Sequence, residues 1–110
     1  MLKPSDFIKL RVGVPVTHAD EIRAALGRAG AGKQGPYEYC SSSFRVTGRF
    51  IALPGANPAI GEIGAMEEVE EEIIETICHK DLVAAAVKEV RRVHPYEEPP
   101  IDIMPRFDIE

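Results

Sequence analysis

A histidine, a tyrosine and two adjacent glutamates fall close together in the stretch "RRVHPYEEPPIDIMP" (residues 91–105). An imidazole beside carboxylates, here His94 with Glu97 or Glu98, is a ligand set for a divalent metal ion. His94 and Glu98 could equally form a general acid–base pair. The structural alternative is a helix end, in which His94 caps the last carbonyl groups, Tyr96 packs, and the glutamates are solvated or pair with arginines. A single histidine beside carboxylates is a weak metal signal, so the structural interpretation is favoured.

The glycine-rich stretch "PGANPAIGEIG" (residues 54–64) is a second candidate binding region. Its three glycines and two prolines cannot sustain a strand, so a loop is predicted. Long loops on a rigid sheet often bind ligands, although a hairpin tip that contacts a neighbouring subunit is the alternative. The candidate ligand-binding residues are therefore Gly55, Asn57, Gly61, His94, Tyr96, Glu97 and Glu98.

The cysteines offer a second set of metal ligands. Cys78 is followed directly by His79, and the other cysteine is Cys40. Thiolate and imidazole suit a soft divalent metal, but three ligands are one short of a structural zinc site, and two cysteines are too few for a disulfide scaffold. A divalent metal is the one cofactor that these residues suggest, held by His94 with Glu98 or, alternatively, by Cys78 with His79.

Hydrophobic periodicity predicts the elements that must position these residues. The ambiguous stretch is residues 66–78, where the glutamates favour a helix; a strand is predicted instead, because a helix there would abut the next one without a turn, and because of the resemblance described below. The predicted elements are a strand over 7–16, a helix over 18–29 with Thr17 as N-cap, a strand over 37–53 with a bulge near Gly48, strands over 66–78 and 101–107, and between these a helix over 80–94.

This β-α-β-β-α-β order predicts an α+β, ferredoxin-like fold, with one antiparallel sheet and two helices on one of its faces. A length of 110 residues suits a single domain over 1–110. The uncovered face of the sheet is partly apolar, so it is expected to need a partner.

Composition argues against two classes of partner, nucleic acids and membranes. The formal charge of -5 makes a nucleic-acid-binding surface unexpected. No apolar run approaches the length of a signal peptide or a membrane span, so we expect no membrane association and a cytoplasmic location.

Three motifs together resemble the inserted domain of the YqfO-type, Nif-three-like proteins: "GAGKQGPYEYCS", "FIALPGANPAIGEIGAMEEVEEEIIETI" and "HPYEEPPIDI". The resemblance runs from Phe7 to Ile103. It implies a stand-alone module similar to PII and CutA proteins that assembles as a homotrimer, without the dimetal chemistry of the larger halves that flank this domain in that family. Pro36, where that family commonly has Asn, and an extra serine in "CSSSF" depart from the pattern.

The expected function is a non-enzymatic, PII/CutA-like regulatory or ligand-binding module that pairs with copies of itself, with a small ligand or an unidentified protein as a further partner. The alternative is a divalent-metal-binding protein. An enzyme would have only the His94–Glu98 pair to act with, so it ranks below both.

Overall fold

A computed structural model describes all residues, from Met1 to Glu110. It contains a four-stranded antiparallel sheet of order β3-β4-β2-β5 and a separate two-stranded ribbon of β1 and β6. The elements are β1 (Leu2–Pro4), β2 (Phe7–Pro15), α1 (Ala19–Arg28), β3 (Ser42–Ile51), β4 (Met66–His79), α2 (Val83–Val93), β5 (Ile101–Met104) and β6 (Phe107–Ile109), with a short 3-10 turn before each helix. The predicted order β-α-β-β-α-β and the strand over 66–78 are confirmed.

The core lies between the helices and one face of the sheet. Alternate residues of a strand point to opposite faces. Most of the side chains of β2 and β4 that face the helices are apolar or small, and they pack against the apolar stripes of α1 and α2. Glu72 is an exception at the margin of this core, where it pairs with Arg23 of α1 at 3.2 Å. The core residues with at most 1% exposure include Leu10, Val12, Val14, Ile22, Ile74, Cys78, Ala86 and Val90.

The hairpin of β3 and β4 is more regular than expected, although β3 begins only at Ser42 and not at residue 37. Its register runs without interruption from Ser42 opposite Glu75 to Ile51 opposite Met66. The bulge predicted near Gly48 is therefore wrong: Gly48 pairs directly with Val69. β2 pairs with β4 only as far as Glu71, so the end of the hairpin projects beyond the rest of the sheet.

The helix ends differ from expectation at one point. α1 has no side-chain cap; Thr17 lies in the preceding 3-10 turn and its hydroxyl contacts His18 Nδ1 at 2.9 Å, so its assignment as N-cap is wrong. At the other end Gly30 takes φ +92°, the left-handed conformation that commonly follows a helix. α2 ends at Val93. The next residue, His94, is extended, because a proline disfavours the helical conformation of the residue before it and Pro95 follows His94.

The chain ends form the one element that was not predicted. β1 pairs antiparallel with β6, and the Glu110 N–H donates to the Met1 carbonyl at 2.9 Å. The two ends of the polypeptide therefore lie side by side. Neither helix is long and apolar enough to span a membrane.

Candidate functional site

The segment from His94 to Pro100 is fastened to β2 at Gly13. β5 pairs with β2 only up to Val12, so both polar backbone groups of Gly13 would be unpaired on that side. The Gly13 N–H donates to the Pro100 carbonyl at 3.0 Å, and the Gly13 carbonyl oxygen lies 2.7 Å from His94 Nε2. The segment thus completes the edge of the sheet.

His94 is held by both ring nitrogens. Its Nδ1 accepts from the Tyr96 backbone N–H at 3.1 Å, so Nε2 carries the proton and donates to Gly13. The side chain is 7% exposed, and burial lowers the pKa of His94, against the opposing effects of the Gly13 carbonyl and Glu71. His94 is therefore a neutral, fully bonded residue that shapes the turn leading to Tyr96.

Tyr96 fastens the segment to the uncovered face of the sheet. Its hydroxyl donates to Glu71 Oε2 at 2.6 Å, and its ring lies edge-on to Phe50 with centroids 6.1 Å apart. Burial, followed by the Glu71 carboxylate, raises the pKa of Tyr96, which keeps the hydroxyl protonated. The Glu71 carboxylate lies against Gly48, where a Cβ would collide with it, so glycine at this position makes room for the carboxylate.

These residues enclose one side of a cavity of about 560 Å³, called here the Tyr96 cavity. The end of β3, the loop that follows it and the His94–Pro100 segment form its walls. More than half of the lining residues are hydrophobic, and this mixture of apolar walls with a few polar groups is typical of small-molecule sites. The residues that line it are Gly48, Arg49, Phe50, Ile51, Ala52, Leu53, Ala56, Pro58, Ala59, Ile60, Glu71, Tyr96, Glu97, Glu98 and Pro100.

The structure brings together most of the ligand-binding residues proposed from the sequence. Tyr96, Glu97 and Glu98 line the cavity, and Glu97 Oε1 accepts from the Asn57 backbone N–H at 2.6 Å, which ties the loop to the segment. His94 does not line the cavity, and its Nδ1 accepts from the Tyr96 backbone N–H. The other two residues, Gly55 and Gly61, belong to the same loop but do not line the cavity.

The proposed metal ligands do not meet in a common site. Both nitrogens of His94 are already bonded, which argues against coordination through this ring. Cys78 is a core residue whose pKa is raised by burial, and His79 points to the opposite face of the same strand, against the ring of Phe7. No group of three His, Cys, Asp or Glu side chains is arranged to hold a metal ion.

Glu71 and Phe50 are the site residues that sequence reasoning missed. Glu71 belongs to a run of glutamates, a residue type that is rarely buried, yet it is 8% exposed. A signal was present: the residues two positions before and after it are Val69 and Ile73, so Glu71 shares its face of the strand with apolar side chains.

Comparison with known proteins agrees with this architecture. No model of a known protein family matches the chain. A GTP cyclohydrolase 1 type 2 homolog of Halalkalibacterium halodurans is 50% identical over 97 residues, which are 88% of this chain and 26% of that protein. The crystal structure of a Bacillus cereus protein related to NIF3 matches 96% of this chain, with a TM-score of 0.79 and 40% identity. The chain is a homologue of one segment of these NIF3-related proteins. It spans about a quarter of their length, 26% in both cases.

The fold of this NIF3-related segment also occurs in smaller proteins. The periplasmic divalent cation tolerance protein CutA from Archaeoglobus fulgidus matches with a TM-score of 0.66 and 19% identity, over 91% of this chain and 83% of that one. Identity at this level shows the fold alone. The predicted ferredoxin-like, CutA-like α+β fold is thereby confirmed, as is the resemblance to the Nif-three-like proteins.

Proposed function

We propose that this chain is a non-enzymatic, PII/CutA-like module that binds a small ligand in the Tyr96 cavity and has a regulatory role. The observation that carries the proposal is the cavity itself. Its volume of about 560 Å³ lies within the usual range for ligand pockets, roughly 300–1,000 Å³. Its walls come from separate parts of the chain that direct hydrogen bonds hold together, from Asn57 to Glu97 and from Tyr96 to Glu71.

The ionisable groups near the cavity favour binding over catalysis. A general base needs a free lone pair and a pKa near the working pH. Both ring nitrogens of His94 are hydrogen-bonded to backbone groups, and the raised pKa of Tyr96 keeps its hydroxyl protonated. The acid–base pair considered for His94 and Glu98 therefore receives no support from the geometry.

We further propose that copies of the chain associate through the face of the sheet that the helices leave uncovered. Phe44 on this face is 48% exposed, and it pairs with Ile73 of β4. β3 and β5 are edge strands, and unpaired strand edges favour pairing with another chain. A homotrimer is the assembly that the likeness to PII and CutA implies, and native mass spectrometry at micromolar protein concentration tests it. A monomer would contradict the assembly while leaving the cavity in place.

Ligand binding is tested by NMR with a fragment mixture that includes cationic, neutral and anionic compounds. A ligand in the Tyr96 cavity is expected to shift amide signals of Gly48–Leu53 and Tyr96–Glu98. Ala59→Trp places an indole in the cavity wall and should abolish these shifts. Ala85→Trp, at an exposed position of α2 that does not line the cavity, is the matched control. Fragments that shift only signals elsewhere would contradict the proposal.

The metal-binding alternative requires His94 to give up a backbone hydrogen bond before it can coordinate. Titration with Zn²⁺, Cu²⁺ and Co²⁺, followed by calorimetry on wild type and His94→Ala, separates the two functions. We expect no binding that depends on His94. Stoichiometric binding that His94→Ala abolishes would establish the alternative.

A further inference from the structure

Glu71 is a buried carboxylate without a cationic partner. It is 8% exposed and forms no ion pair with any lysine, arginine or histidine. Tyr96 donates to Oε2, whereas Oε1 accepts no hydrogen bond from the protein. A buried charge with incomplete pairing is costly, so a cation reaching Glu71 would be bound favourably.

The free oxygen of Glu71 is reachable from the cavity. No fully enclosed polar side-chain atom of this protein lacks a hydrogen-bond partner, so the unbonded Oε1 retains accessible surface. Glu71 lines the Tyr96 cavity. Oε1 of Glu71 is therefore available to accept a hydrogen bond from a ligand in the Tyr96 cavity.

The surroundings of Glu71 suit an organic cation. The rings of Phe50 and Tyr96 lie beside each other at the cavity wall, and aromatic rings attract ammonium groups. Glu97 and Glu98 add negative charge, whereas Arg49, the one basic residue of the lining, pairs with Glu68 at 3.4 Å.

We propose that the Tyr96 cavity binds a small organic cation, an amine whose ammonium group pairs with Glu71 and whose apolar body contacts the walls. The inference rests on the proposed function and names the class of its ligand. An anion would meet uncompensated carboxylates. A bare divalent ion needs about six oxygen ligands, and the glutamates of the lining are not arranged as a group of three that could hold one.

Three probes of matched shape and different charge test the inference: 2-phenylethylamine, 2-phenylethanol and 3-phenylpropionate. Their affinities are measured at pH 7.5 by NMR titration of the cavity signals. Because the amine adds a charge-assisted contact with a buried carboxylate, we expect it to bind at least about tenfold more tightly than the alcohol. The propionate is expected to bind most weakly.

Two substitutions locate the effect. Glu71→Gln removes the charge but keeps an acceptor for the Tyr96 hydroxyl, so the fold should be retained and the preference for the amine lost. Glu70→Gln makes the same change of charge at the neighbouring exposed position, which faces the other side of the strand and does not line the cavity. It should keep the preference. Thermal unfolding of both variants verifies that they remain folded.

The outcomes separate this inference from the proposed function. Equal binding of amine and alcohol in the cavity, or an unchanged preference in Glu71→Gln, would refute the cationic ligand and leave the cavity as a binding site. Displacement of the amine by an equal concentration of Mg²⁺ would also refute it, in favour of an inorganic ion. If neither these probes nor the fragment mixture shifts the cavity signals, both proposals fail together.

Discussion

Replacing Tyr96 by Phe removes one hydroxyl and leaves the ring in place. That hydroxyl donates to Glu71 Oε2 at 2.6 Å, the only protein hydrogen bond that this carboxylate accepts. A hydrogen bond to a charged group contributes about 1.5–3 kcal/mol, and losing it leaves a buried acceptor unsatisfied. The ring contacts with Phe50 and His94 persist in the variant. We therefore expect Tyr96→Phe to lower the free energy of unfolding by about 2–3 kcal/mol.

Urea denaturation at pH 7.5 and a fixed protein concentration measures this loss as a lower midpoint with an unchanged m-value. Tyr37→Phe is the matched control, because Tyr37 is 70% exposed and its hydroxyl forms no hydrogen bond in the protein; a change within about 0.5 kcal/mol is expected there. In a Glu71→Gln background the acceptor is neutral, so Tyr96→Phe should cost only about 1 kcal/mol. A Tyr96→Phe variant as stable as the wild type would refute the role given to this bond.

Three further outcomes are expected. Burial lowers the pKa of His94 in the folded protein, so its contribution to stability is complete above the ordinary pKa of about 6.5 and declines as the pH falls below it; His94→Asn should remove this part of the pH dependence of urea unfolding. Gly48→Ala should destabilise the fold by about 1–3 kcal/mol because its Cβ collides with the Glu71 carboxylate, and combining it with Glu71→Ala should cost less than the sum of the two changes. Ellman's reagent should label Cys40 quickly and Cys78 only on unfolding, since Cys78 is 1% exposed and its pKa is raised by burial; two fast thiols in the native protein would contradict the described core.

The main sheet and both helices could be predicted because each carries its own periodicity. β2 alternates between apolar and charged side chains, and α2 has an apolar stripe and ends before Pro95. The ribbon of β1 and β6 could not be predicted, because each strand has only three residues and their pairing joins positions about a hundred residues apart. Local patterns contain no signal for such a contact.

The candidate site was predicted on one side only. The segment from His94 to Glu98 stood out by composition, and the structure places Tyr96, Glu97 and Glu98 in the cavity wall. Its counterpart on the sheet, Glu71, was hidden in an acidic run, because the role of that carboxylate depends on the fold bringing Tyr96 to it. The bulge predicted near Gly48 was wrong because the need for glycine at this position is also set by the fold. The Glu71 side chain, from the neighbouring strand β4, occupies the space that a Cβ on residue 48 would take.

The pairing of β1 with β6 makes the path of the backbone almost a closed ring. With Glu110 hydrogen-bonded to Met1, a short peptide bridge could join the two ends, and the chain could then be opened in the exposed loop around Gly55 without removing any strand from the sheet. Because the two ends are adjacent, this fold could also be inserted at a single point of a longer polypeptide, whose chain would enter through β1 and leave through β6.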